Sequence, residues 1–204
     1  MVRDKIKCPI CGADKKYEQS RKWHSPTCAS CYQQNFFIRL SDDKTCKLRK
    51  NLSYSLKYIE LLEGLMETEN SSHVVKQMWY KTYITTAATI IMDVLAGIVH
   101  HYGKVSGEDA PYEYLRNSAM THLDVLNENR QLVKDLNTLQ KLNERTKVNQ
   151  KKEASLEGGG NLFLGADFIT YHESVIPLAR KSLLALLSSK QVSKDTQVYG
   201  FLQK

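Results

Sequence analysis

Two pairs of cysteines, Cys8-Pro9-Ile10-Cys11 and Cys28-Ala29-Ser30-Cys31, are separated by sixteen residues near the start of this chain. Within each pair two residues lie between the thiols, a gap that lets one tight turn offer two sulfurs to one ion. This is the spacing of a structural zinc site, in which four thiolates surround Zn2+ as a tetrahedron. Gly12 follows the first pair and frees the backbone for that turn. Four sulfurs close the coordination shell, so the expected ion is structural and not catalytic. Two alternative ligands stay open: His24, four residues before Cys28, and Cys46. All five cysteines fall between Cys8 and Cys46. An odd number of cysteines behind a charged N-terminus argues against a disulfide framework. It points to metal binding in a reducing, cytoplasmic setting.

Charge follows the same division. Residues 1–50 carry twelve Lys/Arg against five Asp/Glu, and residues 51–204 carry seventeen of each. The whole excess of +7 therefore sits in the first quarter of the chain. A basic module joined to a neutral body suits contact with a polyanion. Lys15, Lys16, Arg21, Lys22 and Trp23 lie between the cysteine pairs. Cations beside an aromatic ring are candidates for phosphate pairing and base stacking; Trp23 can equally cap the small core of the module. From Tyr32 to Leu40 the pattern continues as a helix. A knuckle, a hairpin and a helix whose start supplies the last two ligands resemble a treble-clef or ribbon finger. The polar run Ser41–Thr45 sets the domain boundary, giving a zinc finger module over 1–48 and a helical domain over 49–204.

From Asn51 onward the pattern is helical. Leu52, Leu56, Ile59, Leu62, Leu65 and Met66 recur at three- and four-residue steps. Glu69-Asn70-Ser71-Ser72 ends that helix, with a serine able to cap the next. The second helix, about 73–102, is apolar on most sides over Ile84–Val99. That stretch is short for a membrane span and holds Asp93, so it reads as a core helix and no membrane partner is expected. Asp109-Ala110-Pro111 opens a third helix carrying Arg116 and His122. Leucines continue the pattern to Leu142, with a break near 127–130. Residues 143–160 are polar and end in three glycines, so a flexible segment is expected there. A closing helix over 166–187 follows, kinked at Pro177, and the tail from Lys190 reads as loose.

Within the third helix, Arg116-Asn117 and then His122 bring a fixed cation, an amide and a proton-transfer group close together. An all-helical body with Arg, a polar residue, a short gap and His resembles the HEPN superfamily of ribonucleases over roughly residues 51–190. The resemblance implies a mostly α chain: the finger, then a HEPN-like bundle. It also implies a homodimer in which the motifs meet in a cleft, and RNA cut without a metal ion. His122 would move the proton, Arg116 would hold the scissile phosphate and Asn117 would orient the pair. A toxin or anti-phage role, with a protein activator or antitoxin, belongs to the same implication. Asp93, Tyr112 and Glu113 are supporting candidates: Asp93 to neutralise Arg116 or fix His122, the other two to line the cleft. On a regular helix six steps leave Arg116 and His122 about 120° apart. A looser path at the helix start, where Arg116 sits, or the dimer partner must therefore bring them together. The competing reading is a non-catalytic zinc-finger adaptor that binds nucleic acid or protein.

Overall fold

The computed structural model describes residues 6–15, 27–36, 43–68, 72–103, 110–155 and 174–203. Strands β1 (Ile6–Lys7) and β2 (Asp14–Lys15) pair antiparallel and carry the first cysteine pair between them. Helix α1 (Ala29–Asn35) follows the second pair. The body consists of α2 (Asp43–Thr68), α3 (His73–Gly103), α4 (Tyr112–Met120), α5 (Asp124–Glu128), α6 (Arg130–Ser155) and α7 (Val175–Leu187). A 3-10 helix, Gln197–Gln203, closes the described chain. The fold is thus a small zinc-finger-like element followed by a helical bundle, as the cysteine spacing and the apolar periodicity require.

Helix α3 is the centre. It packs against α2, α4, α6 and α7, and Ile84, Ala87, Ile90, Ile91, Val94, Leu95 and Ile98 are all buried along it. Apolar residues on nearly every side are what a helix needs when neighbours surround it. By length and composition α3 could cross a membrane; its burial inside the bundle accounts for the same composition. At its start the Val75 N–H donates to Ser72 Oγ at 3.5 Å, the expected serine cap in a long form. Helix α2 turns Leu52, Leu56, Ile59 and Leu62 inward, the stripe read from their spacing.

Several boundaries differ from expectation. Helix α2 begins at Asp43, not Asn51. Helix α1 stops at Asn35, and Phe36 becomes extended to bridge Ser193 near the other end of the chain. The segment expected to be flexible from 143 is helical through Ser155, with Asn143 and Thr146 buried against the bundle; residues 156–160 lie outside the described residues. Helix α7 begins at Val175, so Pro177 falls in the first turn, where its missing N–H costs no intrahelical bond.

The largest correction is the tail. Val192, Val198, Tyr199 and Leu202 are buried in the common core, and so are Tyr32 and Phe36 of the finger region. The rings of Tyr32 and Tyr199 stack at 6.4 Å. Asn35 acts as a clamp between the two ends: its Nδ2 donates to the Asp195 carbonyl at 2.8 Å, and its Oδ1 accepts from the Asp195 N–H at 2.8 Å. Each large side chain buried here contributes roughly 1.5–3 kcal/mol. That is enough to hold a short tail with no strong helical periodicity of its own.

Candidate functional site

Two local arrangements carry chemistry. In the first, the turn after β1 is closed by the Gly12 N–H donating to the Cys8 carbonyl at 2.9 Å and the Cys8 N–H donating to the Ala13 carbonyl at 3.0 Å. Gly12 takes φ +68, the left-handed region open to glycine, as its place after the first pair implies. The second pair sits at a helix start: Cys28 is the N-cap of α1 and Cys31 lies in its first turn. The Sγ atoms of Cys8, Cys11, Cys28 and Cys31 all lie within 4.8 Å of one another. Cys8 and Cys31 are 3.8 Å apart, and Cys11 and Cys28 3.9 Å. A disulfide needs about 2.05 Å, so these are four free thiols gathered around one point.

The surroundings divide their acidities. Burial works against ionising Cys8, but backbone N–H groups of Cys11, Cys28 and Ile10 more than offset it and bring that thiol down to about 6. Burial pushes Cys31 up to about 12, reinforced by the neighbouring Cys11 and Cys8 sulfurs. Four thiols so close cannot all ionise without a cation among them, and the cluster could hold a metal ion as that cation. Among the described residues the cluster is made by the two cysteine pairs. Of the two alternative ligands, His24 lies outside the described residues, and Cys46 belongs to the first turns of α2 with its side chain likewise outside. Lys15 is the second residue of β2. Lys16, Arg21, Lys22 and Trp23 lie outside the described residues.

The second arrangement is at Arg116, on α4. Its Nη1 donates to Asn137 Oδ1 of α6 at 2.7 Å, and its Nη2 and Nε donate to Asn117 Oδ1 at 2.9 and 3.2 Å. The guanidinium carbon sits 5.7 Å from the centre of the Tyr112 ring. The Tyr112 hydroxyl also donates to Asn137 Oδ1, at 3.0 Å, and burial, opposed by Arg116, pushes it up to about 12. No carboxylate reaches Arg116 among the described residues. Its cation is held in place by two amides and a ring and is left uncompensated, with one N–H still free on each terminal nitrogen.

His122 departs from the sequence expectation. Helix α4 ends at Met120, so His122 is not on it. The Thr121 hydroxyl donates back to the Ser118 carbonyl at 2.8 Å, and the His122 and Leu123 N–H groups both close onto the Ala119 carbonyl at 2.9 Å. Leu123 is then extended and buried. The wheel angle of a continuous helix therefore does not apply to this pair. The His122 ring stacks on Tyr102 at the end of α3, with centroids 5.1 Å apart. Arg116 faces α6 while His122 faces α3, and no contact joins them among the described residues.

Asp93 neither neutralises Arg116 nor fixes His122: it makes no hydrogen bond or ion pair among the described residues, and burial raises its carboxyl to about 6. The sequence placed it on the core helix but could not say which neighbour it would meet. Glu113 is exposed on the first turn of α4 and does not touch Arg116. The sequence reading missed Asn137, which orients both Arg116 and Tyr112; nothing in the spacing of residues 21 apart marks it. It also missed Glu63, buried in α2, where it accepts from Tyr83 Oη at 2.5 Å and from Arg180 Nε at 2.7 Å and pairs with Arg180 Nη2. An acid on the apolar stripe of α2 was the available signal.

Fold and site together define a helical-bundle protein with a four-cysteine, metal-capable finger built into its core. Compared with models of known protein families, with characterised proteins and with solved structures, the chain finds no match.

Proposed function

We propose that this protein is an endoribonuclease of the HEPN type, with zinc as the structural ion of its finger. The observation that carries the catalytic reading is Arg116: a guanidinium fixed by neutral partners, uncompensated by any carboxylate among the described residues, with N–H groups to spare. Such a group is prepared for a phosphate, and its hold strengthens as negative charge grows on the phosphoryl oxygens. Asn117 keeps the fork oriented. His122, steadied against Tyr102, is the proton-transfer group. In the reaction the ribose 2′-oxygen loses its proton to a base and bonds to phosphorus. The bond to the 5′-oxygen breaks, and that oxygen takes up a proton. The products are a 2′,3′-cyclic phosphate and a 5′-hydroxyl. Since the two side chains face different helices, the complete site requires a second copy, whose His122 or Arg116 closes the cleft.

Zinc fits the cysteine cluster by size. A tetrahedron with zinc–sulfur bonds of about 2.3 Å has sulfur–sulfur edges of about 3.8 Å. The Cys8–Cys31 and Cys11–Cys28 separations are 3.8 and 3.9 Å. The finger's ion would hold the knuckle against the start of α1 and take no part in cleavage.

The test is incubation of the purified full-length protein with a mixed RNA in the presence of chelator, beside Arg116→Ala and His122→Ala. Cleavage lost in both variants, with cyclic-phosphate ends from the parent, is the expected result. Equal cleavage by all three sinks the catalytic assignment as contamination. No cleavage by any favours the non-catalytic adaptor. Metal analysis giving about one zinc per chain is expected; much less defeats the zinc assignment.

A further inference from the structure

Helix α2 has a second face that the bundle does not use. Its inner side carries Leu52, Leu56, Ile59 and the two acids Glu60 and Glu63, all buried. On the opposite side Lys47, Lys50, Tyr54, Lys57 and Tyr58 recur at three- and four-residue steps, which places them on one stripe of the helix. Tyr54 is 63% exposed and Tyr58 44%, and Tyr54 is the most exposed of the large hydrophobic side chains described. None of the five makes a hydrogen bond, ion pair or ring contact among the described residues. Glu60 and Glu63 point inward, so neither of them opposes the three lysines on this stripe; Asp43, one turn before Lys47, has its side chain outside the described residues.

We propose that this stripe binds single-stranded nucleic acid, with the lysines on phosphates and the two tyrosines stacking bases. The chemistry selects the ligand. Flat aromatic rings one helical turn apart, flanked by compact cations, match a strand that alternates a charged backbone with unpaired bases. A duplex offers no base faces to stack. A membrane surface calls for an apolar face free to insert, and the apolar face of α2 is already buried in the bundle. From Lys47 to Tyr58 the stripe extends about 16 Å along the helix. This inference shares with the ribonuclease reading only the kind of ligand; binding is read without turnover, so either can fail alone.

The experiment measures fluorescence anisotropy of a labelled oligouridine with the full chain carrying His122→Ala, across a range of salt. Tyr54→Ala with Tyr58→Ala should weaken binding by about tenfold or more and leave the salt slope unchanged. Replacing Lys47, Lys50 and Lys57 with Gln should flatten the slope of log affinity against log salt by up to about 2, since each phosphate contact on a single strand contributes about 0.7. Four of the five side chains are exposed and Lys57 is half-buried, so unchanged melting temperatures will show that the fold is kept. Absence of binding by the parent, binding that neither set of substitutions alters, or binding to anionic phospholipid vesicles in place of the oligonucleotide overturns the proposal.

Discussion

Thr27, one residue before the third cysteine of the cluster, is bonded twice to Glu60 in the middle of α2. The Thr27 hydroxyl donates to Glu60 Oε1 at 2.7 Å and its backbone N–H to Oε2 at 3.3 Å. Both residues are buried. The finger is therefore held to the bundle at the point where its second cysteine pair begins. Glu60→Ala should destabilise the protein by about 1–3 kcal/mol, because it strands a buried hydroxyl and N–H. It should also speed the loss of metal to a chromogenic chelator. Thermal melting and chelator kinetics check the two effects, and a variant that melts normally and keeps its metal would show that the tether carries no strain.

The pair Glu63–Arg180 ties α2 to α7 through the core. Glu63 is 1% exposed and also accepts from Tyr83. Removing one partner of a buried ion pair leaves the other charge without compensation, a cost of about 3–5 kcal/mol. Arg180→Ala should fall in that range by urea unfolding. Arg180→Met combined with Glu63→Leu and Tyr83→Phe should recover most of the loss, since the apolar set leaves neither a buried charge nor the Tyr83 hydroxyl without a partner. Equal loss in the single and the triple variant would contradict this account.

Asp93 adds a pH dependence whose direction follows from its environment. Burial raises its carboxyl from 3.8 to about 6 in the folded chain. As pH rises through that interval the unfolded chain ionises first and binds fewer protons than the folded one. Stability therefore falls between the two values, and the penalty is complete above about pH 6. Asp93→Asn should stabilise the protein by about 1–3 kcal/mol at neutral pH and by less at about pH 5. Comparing variant with parent at each pH cancels the metal site's own response. A gain in melting temperature that is the same at both values would rule out titration of Asp93 in this range.

Asn137 offers a charge test of the Arg116 site. Its Oδ1 accepts from both Arg116 and Tyr112, and Asn137→Asp keeps the shape and the acceptor while adding the carboxylate that Arg116 lacks. With Arg116 acting on a phosphate, RNA cleavage should drop at least about tenfold, as expected when a nearby anion competes for the cation. The melting temperature should hold or rise. Cleavage kinetics beside a melt separate the two readouts, and unimpaired cleavage would remove Arg116 from the mechanism.

What the linear chain determined is local. Cys8, Cys11, Cys28 and Cys31 gather because each pair spans a single turn, so their spacing already encodes the cluster. The buried stripe of α2 and the all-round burial of α3 follow from apolar residues at helical steps, a period that the backbone itself imposes. Ser72 marks the start of α3 for the same reason: a cap acts on N–H groups within its own first turn. Tertiary structure decided everything that depends on partners distant in the chain. The tail reads as polar and loose, yet Tyr199 is buried because Tyr32, far from it in sequence, offers a ring to stack on. Helix α6 outlasts its leucines because packing buries Asn143 and Thr146. His122 leaves the helix of Arg116 because burial draws Leu123 inward and the backbone must turn to allow it. Arg116 itself was legible as a cation but not as an uncompensated one. That property comes from which side chains three-dimensional packing set beside it among the described residues, Asn137 and Tyr112.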